Sequence, residues 1–147
     1  MPATLGTLTS ANCVLFLSQP ILFPTPVQIQ QFAADDVYGV DRIKSVEVLM
    51  GVDGVLSGGF VFAEIMQHFY LQANSPSNNI FDTIFTQQVA AKDVYPLNGS
   101  ITLPAIATKF TMANGFLTDY SPAPDAKKIL QRRQYTVTWN SVFPSPA

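Results

Sequence analysis

The sequence is short of charge. Charged residues make up 12% of its 147 positions, whereas an average soluble protein carries about 25%. Hydrophobic residues reach 48%, so little charge is available to keep the surfaces of separate molecules apart. A chain of this length can fill one domain with a hydrophobic core. We therefore expect a single domain, residues 1–147, that hides part of its exterior against other copies of itself.

Cysteine and histidine are nearly absent, which excludes several kinds of site. The chain has one Cys, Cys13, and one His, His68. An internal disulfide needs two cysteines, and the usual zinc sites need three or four ligands. A cysteine or serine nucleophile would have to reach the one histidine. The sequence therefore predicts no catalytic site, no metal site and no cofactor, with Cys13 as a small core residue and His68 as a hydrogen-bonded sheet residue.

Long apolar runs and early basic residues are also missing. A membrane-spanning helix needs about 18 or more consecutive apolar residues, and Pro20, Pro24 and Pro26 interrupt the most apolar early region. The first Lys or Arg is Arg42, whereas a secretory signal begins with positive charge. We therefore expect no membrane anchor and no secretory signal. The same prolines favour an arm over about residues 1–34, lying on the surface or on another subunit.

Positive charge is scarce, and half of it lies in one place. The net charge is −2, which argues against tight binding of nucleic acid through many phosphate contacts. Four of the eight basic residues are Lys127, Lys128, Arg132 and Arg133. This cluster is either a patch for DNA or for an acidic neighbour, or else a solvated or interface-pairing face. The sequence leaves these possibilities open.

Glycine is concentrated in one stretch, GVDGVLSGG, at residues 51–59. A phosphate-binding loop ends in Gly-Lys-Ser or Gly-Lys-Thr, but here the last two glycines lead directly into Phe60. We therefore predict a connection between two strands, because glycine adopts positive φ angles at little steric cost. The flanking strands, residues 42–50 and 60–72, are predicted to pair as one long hairpin.

Downstream of the hairpin the hydrophobic period changes. Apolar residues fall on one side of a predicted amphipathic helix over about residues 76–90, after an N-cap at Ser75. The last predicted strand alternates most regularly, with apolar residues facing one way and uncharged polar residues the other. The predicted core positions of the helix and this strand are Ile80, Phe81, Ile84, Phe85, Tyr135, Val137 and Trp139. The polar row of the strand consists of Thr136, Thr138 and Asn140.

The order of these elements, together with short local matches, resembles the bacteriophage tail tube protein family over residues 40–142. The matching stretches are LQANSPSNN at 71–79 before the helix, YPLNGSITLP at 95–104 after it, and RQYTVTW at 133–139 near the end. The resemblance implies a mainly β fold, a sandwich or barrel-like tail tube fold with one flanking helix. It also implies hexameric rings whose inner sheets join into one barrel, and a stack of rings that conducts the genome.

The same resemblance implies roles for particular residues and partners. The chain would be a structural virion protein of a tail, contractile rather than flexible, assembled in the host bacterial cytoplasm. Its partners would be copies of itself, the sheath, the baseplate and the terminator, while viral DNA passes through the lumen without specific binding. An uncharged lumen wall would let DNA pass without releasing counterions, and Thr136, Thr138 and Asn140 would line it. The loop expected to contact the adjacent ring comprises Gly51, Val52, Asp53, Gly54, Val55, Leu56, Ser57, Gly58 and Gly59.

Two other kinds of function fit the sequence. One is a different virion component, such as a tail terminator or a capsid decoration protein, which would form closed rings or monomers instead of open-ended filaments. The other is a β-sandwich module that binds glycans, in which an exposed Trp139 would stack on a sugar ring. A buried Trp139 would count against this second alternative.

Overall fold

The computed structural model describes residues 13–33 and 37–146, and it is mainly β. Its strands are β1 (Val14–Gln19), β2 (Phe23–Gln28), β3 (Tyr38–Val40), β4 (Val46–Met50), β5 (Leu56–Phe60), β6 (Ile65–Leu71), β7 (Leu97–Leu103), β8 (Thr108–Asp119) and β9 (Arg133–Pro146). Among the described residues one α-helix, α1 (Asn78–Ala91), lies between β6 and β7. The predicted fold class is confirmed. Residues 1–12 and 34 of the predicted arm lie outside the described residues.

Seven of the described strands form one antiparallel sheet, called the main sheet below, in the order β2-β1-β7-β8-β9-β6-β3. The stretch that follows β2 forms hydrogen bonds with strands near both ends of this strand order. The Ile29 N–H donates to the Leu15 carbonyl of β1 at 2.9 Å, and the Ala33 N–H donates to the Tyr70 carbonyl of β6 at 2.9 Å. One short stretch can reach strands near both edges of the sheet only if the sheet curls, so the main sheet has a barrel-like shape.

The early strands differ from the predicted surface arm. β1 pairs with β2 on one side and with β7 on the other, and Leu15 and Leu17 are fully buried. The strand at the edge of the sheet is β2, which carries Pro24 and Pro26. Proline is tolerated on an edge strand, where its missing donor is not needed.

Helix α1 packs a narrow apolar stripe on the main sheet. Phe81 and Ile84 are fully buried, and the Phe81 ring stacks on Tyr135 of β9 with centroids 4.3 Å apart. Two other residues predicted for the core differ: Ile80 is only partly buried, and Phe85 is 39% exposed. The contact with the sheet is narrower than the apolar side of the helix, so the core prediction for Phe85 is wrong.

The helix begins at Asn78, later than predicted, because the two serines before it hold the chain in a turn. The Ser75 hydroxyl donates to the Gln30 carbonyl at 2.6 Å, and the Gln30 N–H donates to the Ser77 hydroxyl at 2.8 Å. The Ser77 N–H donates in turn to the Ser75 hydroxyl at 3.2 Å. These bonds attach the start of the helix to the stretch between β2 and β3.

β9 lies between β8 and β6, and its apolar side is the centre of the core. Tyr135, Val137 and Trp139 are at most 1% exposed. The indole N–H of Trp139 donates to Gln67 Oε1 of β6 at 2.9 Å, so this buried donor has a partner. Gly115 of β8 faces the same ring, and a Cβ at that position would lie 2.3 Å from a ring carbon. Trp139 therefore requires glycine on the neighbouring strand.

β4 and β5 form a separate two-stranded sheet, which differs from the predicted hairpin. Their connection is residues 51–55, so residues 56–59 of the glycine-rich stretch belong to a strand. β6 pairs with β9 and β3 instead. The prediction that residues 60–72 form one strand paired with residues 42–50 is therefore wrong. Local alternation carries no information about which distant strand β6 will pair with.

Candidate functional site

The β4–β5 hairpin, residues 46–60, exposes one apolar face. Directly opposed residues of paired strands lie on the same face. One face carries the pairs Val46 with Phe60, Val48 with Gly58, and Met50 with Leu56, and the other carries Glu47 with Gly59 and Leu49 with Ser57. Every residue of both strands is exposed. A contiguous apolar face in solvent is typical of a surface that another molecule covers.

The hairpin tip, residues 51–55, is a tight turn with its own hydrogen bonds. The Gly51 N–H donates to the Val55 carbonyl at 2.8 Å, and the Val55 N–H donates to Asp53 Oδ1 at 3.2 Å. Gly54 has a φ of 84°, a conformation that glycine adopts at little cost. The residues predicted as one long contact loop are therefore divided between this tip and strand β5.

Polar contacts join the chain shortly before the hairpin to the main sheet. The Asp41 N–H donates to the Met66 carbonyl at 3.0 Å, and Asp41 Oδ2 lies 3.2 Å from His68 Nε2. On the other side of the ring, His68 Nδ1 lies 2.8 Å from Thr136 Oγ1. Thr136 is only 2% exposed, so its hydroxyl is out of reach of a substrate. The line of three side chains joins Asp41, which follows β3, to β6 and β9 and presents no attacking group.

The polar row of β9 is divided between the interior and the surface. Thr136 is buried beneath His68, while Thr138 is partly buried and Asn140 is exposed. The Thr118 hydroxyl of β8 donates to the Thr136 carbonyl at 3.2 Å and lies 3.1 Å from Thr138 Oγ1. The prediction that Thr136 faces a lumen is wrong, because β6 places His68 directly opposite it. For Thr138 and Asn140 a lumen position stays a prediction.

The basic cluster of the sequence is divided as well. Arg133 is buried, and its guanidinium donates to Asp82 Oδ1 of the helix at 2.8 Å and to the Ser121 carbonyl at 2.7 Å. Burial acts to raise the pKa of Asp82, but hydrogen bonds from Arg133 and Tyr120 hold this pKa below its ordinary value. Arg133 therefore joins the helix to the sheet and is not part of an open basic patch.

The other three basic residues lie on the loop between β8 and β9. The Arg132 guanidinium carbon sits 4.5 Å from the ring centroid of Tyr70. Residues 127–132 of this loop and residues 72–74 line an open groove of about 1040 Å³. The exposed side chains of the loop at this groove are Lys127, Lys128, Ile129, Leu130 and Arg132.

The described residues were also searched for metal ligands, a membrane-spanning helix, a reactive thiol and an aromatic ring exposed to glycans. Residues 13–33 and 37–146 hold no group of three or more His, Cys, Asp or Glu side chains placed to bind a metal ion. Within the same ranges, no helix has the length and apolarity needed to cross a membrane. Burial raises the pKa of the Cys13 thiol, which makes it less reactive. Trp139 is buried, so the ring on which the glycan-binding alternative depended cannot stack on a sugar.

The chain matches one protein family. Residues 6–143 match the model of the family described as tail fiber protein gp32. No curated protein matches the chain in sequence. Because the match to the family model extends over nearly all of the chain, it includes the main sheet, the helix and the β4–β5 hairpin.

Solved structures of contractile assemblies share the fold. A chain of the anti-feeding prophage cap, the tube terminating cap, aligns with a TM-score of 0.64 at 13% identity, over 100% of this chain and 96% of that one. A chain of an extracellular contractile injection system, in its sheath–tube complex in the extended state, gives 0.63 at 11% identity, over 98% and 95%. A chain of the anti-feeding prophage baseplate gives 0.61 at 12% identity, over 95% and 96%. These likenesses extend over whole chains, so the complete fold is shared.

Proposed function

The chain belongs to the tail fiber protein gp32 family, and from this premise we propose that it is a structural component of a phage tail that assembles with copies of itself into the inner tube. Hexameric rings of the chain would stack head to tail, and the stack would conduct the genome. The observation that carries the proposal is the exposed apolar face of the β4–β5 hairpin. It stands on a fold shared with chains of a sheath–tube complex, a cap and a baseplate.

The hairpin supplies a physical reason for stacking. A two-stranded hairpin outside a larger sheet is at best marginally stable in water, and its apolar side chains gain free energy only when they are covered. A contact between two different surfaces of identical copies repeats from copy to copy, giving rings or filaments. We propose that the hairpin of one ring packs on the adjacent ring in this way.

The remaining partners follow from a tube. Sheath, baseplate and terminator proteins would contact the tube along its outside and at its ends, and the protein would reside in the virion tail after assembly in the host cytoplasm. Thr138 and Asn140, on the polar side of β9, are the residues we propose for the lumen. Their lack of charge would let DNA pass without the counterion release that holds it to basic surfaces. The role is structural and needs no cofactor.

The test compares the two faces of the hairpin. Met50→Asp with Leu56→Asp places charge on a cross-strand pair of the apolar face, and Leu49→Asp with Ser57→Asp does the same on the other face. Negative-stain electron microscopy of the purified proteins is expected to show filaments for the wild type and for the second variant, but none for the first. Circular dichroism checks that both variants fold.

Two outcomes would reject the proposal. One is filaments of normal length from the Met50→Asp, Leu56→Asp variant. The other is a wild-type chain that scatters X-rays as a compact monomer even at high concentration. Either result would mean that the apolar face is not the contact that builds a stack.

A tail terminator is the second candidate, because the tube terminating cap shares the fold as closely as the sheath–tube chain does. A terminator would form single closed rings that do not stack. Micrographs that show isolated rings without filaments would favour the terminator, and monomers would favour a decoration protein instead.

A further inference from the structure

We propose that the groove lined by residues 72–74 and 127–132 receives the hairpin tip of the next copy in a stack. The inference rests on the proposed function, because it names the surface on which a stacked copy would pack. Position, charge and apolar exposure each support it.

The hairpin and the groove lie at opposite ends of β6. This strand begins at Ile65, shortly after the hairpin, and ends at Leu71, directly before residues 72–74. Arg133 of β9 pairs with Leu71, so the loop of residues 127–132 lies at that same end. A strand of 7 residues separates its two ends by about 20 Å. A projection at one end and a recess at the other are what a head-to-tail stack requires.

The charges of the tip and the groove are complementary. Asp53 is the one charged residue between positions 48 and 63, and it is exposed at the tip. The loop at the groove presents Lys127 and Lys128, both exposed, against one acidic residue of the same loop, Asp125. Opposite charges favour an approach of tip to groove, while like charges oppose an approach of tip to tip.

Apolar side chains are exposed on both surfaces. On the hairpin, Val52, Val55 and Leu56 are exposed, and on the loop Ile129 and Leu130 are exposed. The groove volume of about 1040 Å³ lies just above the range of about 300–1,000 Å³ that ligand pockets occupy. Apolar groups in the centre with charged groups around them are the usual anatomy of a specific interface.

Charge reversal tests the pairing. Lys127→Glu with Lys128→Glu is expected to raise the critical concentration for filament formation about tenfold or more, because it places like charges opposite one another. Asp53→Lys in the same chain is expected to restore assembly. Because Asp53 also accepts a hydrogen bond within the turn, Val52→Lys is a second rescue that leaves this bond in place. Lys109→Glu reverses an exposed charge on β8 and is expected to leave assembly unchanged.

Cross-linking tests the contact without relying on filaments. In a Cys13→Ala background, copies with Val52→Cys are mixed with copies with Ile129→Cys under mild oxidation. A disulfide-linked dimer is expected in the mixture and not in either variant alone, because the two positions would meet only across a head-to-tail contact.

The outcomes separate this inference from the proposed function. A wild-type chain without filaments would reject the proposed function. A cross-link between the Val52→Cys and Ile129→Cys copies would still support the contact of tip and groove. Filaments that persist in the Lys127→Glu, Lys128→Glu variant, or the absence of a mixed cross-link, would overturn the inference. Assembly that is lost on reversal but is not restored by either change at the tip would mean that something other than the tip occupies the groove.

Discussion

The main sheet and the β4–β5 hairpin are both antiparallel, yet they treat apolar side chains in opposite ways. In the main sheet, Tyr135, Val137 and Trp139 are at most 1% exposed, and the indole N–H has a buried partner. In the hairpin, every strand residue is exposed. The hairpin is therefore an element whose apolar side chains the single chain leaves uncovered.

The largest effect on stability is expected at Gly115. Gly115→Ala places a methyl group within 2.3 Å of the Trp139 ring, and overpacking of this kind in a buried core costs about 3 kcal/mol. Gly59→Ala in the hairpin is the matched control, because a Cβ there meets nothing within 4 Å. Urea unfolding followed by circular dichroism measures both. Equal stability of the two variants would contradict the contrast between a tightly packed sheet and an open hairpin.

An intermediate effect is expected at the ion pair between helix and sheet. Asp82→Asn leaves the buried Arg133 without its carboxylate and is expected to cost about 1–2 kcal/mol at neutral pH, less than a fully buried pair because Asp82 is partly exposed. The folded-state pKa of Asp82 is lowered from 3.8. Its contribution is therefore present above about pH 4 and is lost as the pH falls through the folded pKa.

Urea unfolding of the wild type and Asp82→Asn from neutral to acidic pH measures this linkage. The two curves are expected to converge as the pH falls, because only the wild type loses the pair. Asp125→Asn, at an exposed carboxylate, is the control and is expected to follow the wild type. A constant gap between wild type and Asp82→Asn at all pH values would show that the pair contributes no pH-dependent stability.

The smallest effect on stability is expected in the hairpin. Met50→Asp with Leu56→Asp changes residues that are exposed in the single chain, so the free energy of unfolding is expected to change by no more than about 0.5 kcal/mol per site. Hydrogen exchange sharpens the comparison, because amides of the hairpin are expected to exchange faster than those of β9 before assembly and to become protected after it. Hairpin amides as protected as β9 in the unassembled chain would remove the contrast between the two regions.

Sequence periodicity was sufficient to predict the buried positions of the elements that contact the core directly. The alternation of residues 135–139 in β9 and the apolar positions Phe81 and Ile84 of the helix agree with the structure, because burial on one face imposes a regular period. The residue at which the helix begins was harder to predict from the sequence. It depends on hydrogen bonds from Ser75 and Ser77 to Gln30, which lies far away in the sequence.

The pairing of strands that are far apart in the chain could not be predicted from the sequence. Residues 60–72 look like one strand, but β6 pairs with β9 while β5 pairs with β4. Gly58, which suggests a loop, lies in β5, where a Cβ would approach Val46 at 3.2 Å. Its missing side chain leaves room for the apolar residues across the hairpin. The pairing register reveals the two faces of the hairpin, and the sequence alone did not.

The candidate site could be predicted only in part from the sequence, for a similar reason. A polar side chain on a strand suggests a surface, but Thr136 is buried because His68 lies directly opposite and bonds to it. The four basic residues are neighbours in the sequence, but the fold buries Arg133 against Asp82 and leaves Lys127 and Lys128 exposed. In both cases the deciding partner comes from a distant part of the chain.

The place of β9 in the main sheet also bears on the order of events during synthesis. Residues 133–146 are made after the other described strands, yet they occupy the position between β8 and β6. A nascent chain that lacks them has two halves of a sheet and no strand to join them. The hairpin leaves the ribosome long before the domain that carries it can close, so productive self-association has to wait for translation of the central strand.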